Sequence, residues 1–294
     1  MPPFSLGSLK IDCIQEYCSP IFPPEQFLVG LPTDALDRNI DWLAPTFYDV
    51  ARRMVVMSIH SWVVRTPHHT VLIDTCYGND KDRPGTPGNK LASPWIAKLA
   101  ALGLQPEDID FVLCTHLHAD HIGWNTKLVD GRWVPTFPNA RYIFGRREYN
   151  HWNPATRPSG ADTQREGAFK DSVLPCMEAG LASLVDGGFA IGDNLRVEDA
   201  PGHTEGTVLI RADSDGQSGL FVGDIIHMPL QVVYPDVNSL VCQLPDQARA
   251  TRRRVLSDCA ENESLLLPAH FPSPHCGHVT RKNDSFHFHA GHRA

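Results

Sequence analysis

The densest chemistry in the chain is the stretch Cys114-Thr-His-Leu-His-Ala-Asp-His-Ile-Gly, which sets His116, His118, Asp120 and His121 in an HxHxDH pattern directly after an apolar run. On extended backbone, side chains alternate, so His116 and His118 point to one side, and a turn after them can bring Asp120 and His121 back to a neighbouring point. Three imidazoles and a carboxylate there suit a borderline divalent cation such as zinc. The chain holds 15 His, but with positions treated as independent this pattern arises by accident only about 0.003 times. A structural zinc is the competing account. Such sites usually close with paired cysteines, and none of the eight cysteines here stands in a CxxC spacing.

Three further candidates lie just past apolar, strand-like runs: His203 in Pro-Gly-His-Thr-Glu-Gly-Thr, Asp224 after Gly-Leu-Phe-Val-Gly, and His270 after Ser-Leu-Leu-Leu-Pro-Ala. A lone histidine beside a strand is ordinarily a core or surface residue. Together with the first cluster, the three complete two coordination spheres. Asp74, closing Val-Leu-Ile-Asp-Thr, reads either as an acceptor that orients a ligand histidine or as the cap of a turn. Thr115 and Thr204, each beside a ligand, carry the same two readings.

For a substrate pocket the candidates are Trp124 and Asn125, directly after the metal loop, and Phe271 and His227. His227, three residues past Asp224, is a donor to a leaving group or else a packing histidine. Trp152 and the N-terminal aromatics Phe22, Phe27, Trp42 and Phe47 could add an apolar wall, although aromatics serve more often as core. Tyr149 and Tyr234 are candidate phenolic donors. Cys76 and Cys114 read as small buried hydrophobes.

These residues need a frame. Residues 54–66 and 70–75 read as a hairpin joined by Pro-His-His, with Asp74 at its end. Helical patterns cover 94–103, 145–152, about 161–184 and 247–260; strand patterns cover 111–115, 141–144, 189–197, 207–211, 220–222 and 264–267. Hairpins interleaved with helices predict an α/β layered architecture. Residues 1–50, rich in breakers, are expected to be an arm packed on a single hydrolase domain of residues 51–294. That arm is a candidate lid or homodimer contact. The histidines at 275, 278, 287, 289 and 292 read as an exposed tail, and Arg252, Arg253 and Arg254 as the solvated face of a helix.

A net charge of −8 over 294 residues, 42% of them hydrophobic, gives no electrostatic footprint for nucleic acid or an anionic membrane. No apolar run is long enough to span a bilayer, and the N-terminus lacks a leader pattern. The expectation is a cytoplasmic protein with reduced thiols and a small-molecule substrate.

The ordered motifs T-H-L-H-A-D-H, P-G-H-T-E-G-T, F-V-G-D and P-A-H-F resemble those of the metallo-β-lactamase superfamily over residues of about 50 to 280. The resemblance implies an αββα sandwich with two metals at one edge. Carried over by position, His116, His118 and His203 would bind the first metal, Asp120, His121 and His270 the second, and Asp224 would bridge them. An aspartate bridge with a final histidine resembles the lactonase, glyoxalase II and phosphotriesterase-like branches. The chain lacks the C-terminal helical extension of glyoxalase II and the inserted domain of nucleic-acid-processing members, and is most similar to lactonases and methyl-parathion-hydrolase-like enzymes.

Two adjacent cations lower the pKa of a shared water and polarise the oxygen under attack, so a metal-bridging hydroxide is the expected nucleophile. Asp120 is placed to accept or return a proton. Zinc suits the ligands; iron, manganese and cobalt are accommodated. The expected reaction is hydrolysis of a lactone or carboxylic ester, N-acyl-homoserine lactones included. The alternatives are aryl phosphotriester hydrolysis, hydrolytic dehalogenation of an aromatic ring, and ligand binding without turnover. A diiron redox role is not expected, since the branch with that activity usually carries Glu in place of the second His and a fused flavin domain, a pattern that these motifs do not resemble.

Overall fold

Strands covered on both faces read as nearly unbroken apolar runs, and most strands of this chain are of that kind. In the computed structural model, which describes residues 3–156 and 163–292, they form two large sheets. The first holds β1 (Phe4–Leu6), β2 (Leu9–Phe22), β3 (Met54–Arg65), β4 (Thr70–Ile73), β5 (Phe111–Leu113), β6 (Arg141–Gly145) and β7 (Ala182–Val185) in that order, with Tyr48–Asp49 paired separately on β3. The second holds β8 (Ala190–Ile191), β9 (Leu195–Asp199), β10 (Val208–Ser214), β11 (Gln217–Gly223), β12 (Leu265–Pro268), β13 (Gly277–Lys282) and β14 (Ser285–Ala290). Pairing is parallel from β4 to β7 and between β11 and β12. The helices include α1 (Ala35–Leu43), α2 (Trp95–Ala101), α3 (Ala119–Ile122), α4 (Arg146–Trp152), α5 (Thr163–Ser172), α6 (Leu174–Glu178) and α7 (Pro245–Glu261), beside short turns of helix at Pro24–Phe27 and Leu230–Val233.

The two-residue period of the strands sorts the core into three layers. Trp62, Val64, Val71, Ile73 and Leu113 of the first sheet share the central core with Ile210, Phe221, Leu265 and Leu267 of the second. Their neighbours Val63, Leu72 and Val112 turn outward onto Trp95 and Leu99 of α2 and Cys176 of α6. On the other side, Leu209, Leu220, Val222 and Leu266 meet Leu43 of α1 and Val255, Leu256 and Cys259 of α7. The layering is the expected αββα sandwich. Among the described residues, no helix is long and apolar enough to cross a membrane.

Five local expectations need correction. The break expected at residue 50 is not a break in the sheet, because β2 pairs with β3 from Lys10↔Arg65 to Phe22↔Val55. Residues 9–22 are therefore a strand of the first sheet. The helix expected over 161–184 is two helices and a strand. Pro175 lies in the first turn of α6 and has no N–H to continue the α5 ladder onto Asp171, whose carbonyl accepts from Lys81 and Thr126 instead. Gly180, at φ +70°, then turns the chain into β7; residues 161 and 162 of that expected helix lie outside the described residues. The strand expected over 189–197 is two, divided by a turn at Gly192, φ +56°.

The C-terminal histidines lie on a hairpin rather than in a tail, with His287, His289 and His292 exposed as expected. β13 and β14 form a hairpin with His278 opposite His289, His275 is buried, and His292 stacks on Phe4. Arg252 is fully buried. It donates to the carbonyls of Ile225, Pro235 and Val237 and to Asn238 Oδ1, so the arginine run straddles the inner and outer faces of α7.

Candidate metal centre

The functional edge lies beyond the C-terminal ends of β4, β5, β9, β11 and β12, where a layered α/β fold leaves side chains free of the ladders. After β4 the chain turns through Asp74 at φ +56°, a left-handed backbone tolerated by aspartate. After β5 it delivers His116 and His118, then enters α3 with Asp120 and His121. Gly223, at φ +50°, ends β11; a Cβ there would lie 2.6 Å from Thr115 Oγ1, so glycine is what lets Asp224 come in beside the β5 loop.

All seven candidate ligands converge. His116, His118, His203 and Asp224 offer ligand atoms within 4.8 Å of one another, and so do Asp120, His121 and His270. His203 Nε2 lies 3.0 Å from His118 Nδ1. Asp224 stands between the sets. Its Oδ2 is 3.2 Å from His203 Nε2 and 3.7 Å from His116 Nε2. Its Oδ1 is 2.9 Å from His270 Nε2 and 3.2 Å from His121 Nε2. Asp120 Oδ2 is 3.7 Å from both His121 Nε2 and His270 Nε2.

The far sides of His121 and His270 are held by the protein. Asp74 Oδ2 faces His121 Nδ1 at 2.8 Å, and the same carboxylate accepts from Thr115 N–H at 2.7 Å and the Thr115 hydroxyl at 2.8 Å. His270 Nδ1 sits 3.0 Å from the Ser58 carbonyl. Asp74 is thus an orienting acceptor, and Thr115 ties it to the β5 loop.

The residues fit divalent cations on direct observation. His116 Nε2, His121 Nε2 and Asp224 Oδ1 are buried with no hydrogen-bond partner, although buried polar atoms are almost always paired. Burial holds His116 and His203 well below the usual imidazole range, which keeps their lone pairs available. Burial also works against charge on His121, but Asp224, Asp120 and Asp74 outweigh it and hold that imidazole well above its usual range. The field that favours a proton there equally favours a metal cation. Burial opposes the charge on Asp224, and the surrounding imidazoles keep it well below the ordinary carboxylate range regardless.

A cavity of about 260 Å³ opens over the donors. Phe22, Phe27, Met57 and Val241 give it an apolar wall, and Tyr77, Arg83 and Thr86 of the 77–86 loop a polar one. His227 reaches it, with Nε2 3.1 Å from Asp224 Oδ2 and its ring stacked on His270. A larger groove of about 680 Å³, lined by His68, His69 and Asp213, lies at the opposite strand ends and contains none of the clustered donors.

The profile of the family described as "Metallo-beta-lactamase superfamily" matches residues 54–270. The chain belongs to this superfamily. Among curated members, it is similar to the N-acyl homoserine lactonase AttM of Azorhizobium caulinodans, 43% identical over 56 residues that make up 19% of this chain and 18% of the relative. It is also similar to an N-acyl homoserine lactonase of Bacillus cereus, 27% identical over 123 residues, 41% of this chain and 40% of the relative. These matches span two fifths or less of the relatives' length. Among solved structures, a hydrolase named AbOPH superposes with a TM-score of 0.82 at 24% identity, covering 99% of this chain and 97% of that one. AidC, a dizinc quorum-quenching lactonase in complex with a product, superposes with a TM-score of 0.79 at 20% identity, covering 100% and 98%. At these identities the superpositions establish a shared fold.

Within this superfamily member, several expected pocket residues lie elsewhere. Trp124 stacks on Trp95 in the core and donates to Glu16 Oε1 at 2.7 Å. Asn125 is buried, accepting from the Thr75 hydroxyl at 2.9 Å. Phe271, 1% exposed, packs on Phe47 and Phe288. These three follow ligand loops in sequence, but the chain re-enters the core at once, so they support the site from behind. Tyr149 packs on Phe169, Tyr234 accepts from Asn39, and Trp42 donates to Asn39.

The sequence reading missed Met57, Tyr77, Arg83, Thr86 and Val241. The available signal for the 77–86 segment was its position, a Gly- and Pro-rich loop following the strand that ends at Asp74. Cys13, His60 and His275 also cluster within 4.8 Å. His60 engages Ser58 Oγ and the Pro268 carbonyl through its two ring nitrogens, and His275 Nδ1 faces the Phe271 carbonyl. With both His60 nitrogens and His275 Nδ1 engaged by these groups, the two act as packing histidines.

Proposed function

We propose that the chain is a dinuclear metal-dependent hydrolase acting on a lactone or carboxylic ester, with N-acyl-homoserine lactones as the first substrate class. The observation that carries this reading is Asp224, whose two oxygens face two separate donor sets at the floor of a half-apolar cavity. In this reading, His116, His118 and His203 hold one cation, Asp120, His121 and His270 the other, and Asp224 both. When bound, the pair of cations supplies a hydroxide near neutral pH and polarises the carbonyl that it attacks.

The chain's own residues do the rest. The apolar wall receives an acyl chain and excludes water. Asp120, which lines the cavity and stands between His121 and His270, is placed to hold the proton released on attack and return it to the leaving oxygen. Product-bound homoserine complexes of N-acyl homoserine lactone hydrolases with the same fold support the choice of substrate class. Zinc is our choice of metal from the imidazole-rich donors. Eight free cysteines support a cytoplasmic setting. The exposed Val29 and Leu240 beside the mouth support a homodimer, a reading that monomeric sedimentation across a wide concentration range would end.

The test is elemental analysis of the purified chain with turnover of an acyl-homoserine lactone, a plain γ-lactone, an aryl ester and an aryl phosphotriester. Two metals with strong lactone turnover is the expected result. Two metals with turnover confined to the phosphotriester would move the chemistry to phosphorus. A metal-free, inactive chain would defeat the reading.

A further inference from the structure

The first donor set is split between the sheets: His116 and His118 follow β5 of one, and His203 follows β9 of the other. Sheet ladders do not run across that gap. Backbone bonds from Val208 N–H to the Thr115 carbonyl and from Ser58 N–H to the His270 carbonyl cross near the site, and one side chain ties together the two ligand loops of the first set. Glu148 of α4, 1% exposed, places each carboxylate oxygen on a different ligand loop. Oε1 accepts from Leu117 N–H at 3.0 Å, between His116 and His118, and from the Trp152 indole at 2.5 Å. Oε2 accepts from the Thr204 hydroxyl at 2.6 Å and from Gly206 N–H at 3.1 Å, just after His203.

Four donors and no acceptor surround the group, the environment of an ionised carboxylate that is fully satisfied. The approach is also close: a Cβ on Gly206 would lie 2.1 Å from Glu148 N, so glycine is required there for α4 to dock. One helical turn later, Trp152 stands edge-on to the His118 imidazole at 5.4 Å. A buried charge with this many partners is costly to misplace, which fixes the distance between the loops.

We propose that Glu148 is the positioning residue of the first metal site, tying the His116–His118 loop to the His203 loop at the separation a cation needs. This rests on the donor-set assignment made above and not on the identity of the substrate. Groups that orient metal ligands typically govern affinity by about 10- to 100-fold when replaced.

The experiment is a zinc titration of the full chain against a chromophoric chelator, comparing wild type, Glu148→Gln and Thr204→Val, with circular dichroism of each metal-free protein as a check on folding. Glu148→Gln turns an amide N–H₂ toward two of the four donors. The expected result is retention of the second-site cation, with first-site affinity falling roughly 10- to 100-fold, and an altered cobalt absorption spectrum. Thr204→Val, which removes one donor without changing charge, should lower first-site affinity less and in the same direction, and it carries the test if Glu148→Gln fails to fold. A merely structural role would lower the thermal midpoint and leave zinc affinity unchanged below it. Wild-type affinity at both sites in the folded variants overturns the inference alone. A wild type that takes up no zinc overturns the donor-set assignment together with it.

Discussion

Asp224 is the donor that both sets share, because its Oδ2 faces His203 and His116 while its Oδ1 faces His270 and His121. Replacing Asp224 with Ala leaves His116, His203, His121 and His270 facing an apolar methyl. We expect Asp224→Ala to lose bound metal and hydrolysis together, by at least two orders of magnitude in turnover; full metal content by elemental analysis would remove Asp224 from the bridge. Asp74 acts one step further out. Asp74→Asn should keep the left-handed backbone, since asparagine tolerates it, but it turns an amide N–H₂ toward either the Thr115 donors or His121. The expected outcome is a fall in second-site metal affinity of about 10-fold or more with the fold intact, read by the same chelator competition; unchanged affinity would make Asp74 a turn residue only. Residues such as these were legible in the sequence because coordination restricts them to few side-chain types at fixed spacing. Tyr77, Met57 and Val241 were not, since a cavity wall accepts many side chains and leaves no pattern.

At the scale of elements, the segment of residues 225–238 shows why a charge run can mislead. It carries His227 into the cavity, yet several of its carbonyls have no regular ladder to join. Arg252 reaches from α7 and takes three of them together with Asn238, so a residue that reads as solvated in a run of arginines is the inner anchor of a loop. Arg252→Met should destabilise the fold by about 3 kcal/mol, since each buried acceptor left unpaired costs about 1–3 kcal/mol, whereas Arg254→Met should change it by less than about 0.5 kcal/mol. Urea midpoints at a fixed slope check both, and equal effects would mean that Arg252 is dispensable. The same limit hid β2. Its sequence mixes Lys10, Asp12 and Glu16 with apolar residues and ends near Pro20, so it resembles a loop, yet Glu16 accepts from Trp124, Ser93 and Tyr77 N–H. Strands that read as apolar-rich runs buried on both faces, such as β3 and β11, were readable; those whose polar side chains find buried partners were not.

At the scale of the whole molecule, the ligands span residues 116 to 270 and come from both sheets, so cations bound at this edge would brace the sandwich as a unit. That architecture was legible from the order of motifs and the spacing of apolar runs, because layered burial leaves strong periodic signals, whereas the packing of residues 4–22 into the first sheet left a weak one. Without cations, five imidazoles crowd the buried Asp224 and the partly exposed Asp120 at the junction of the sheets, and a ligand that binds only the folded chain stabilises it by mass action. At a free metal concentration about 1,000 times the dissociation constant, that contribution is about 4 kcal/mol. A domain of this size shifts its thermal midpoint by roughly 2–4 °C per kcal/mol. We therefore expect exhaustive chelation to lower the midpoint by roughly 10 °C. Zinc should restore it, and the midpoint should climb with the logarithm of free zinc until aggregation or a second transition intervenes. A midpoint indifferent to chelator and to added metal would show that the donors are bridged by protons alone in the folded chain, and would separate a decayed site from a working one without reference to any substrate.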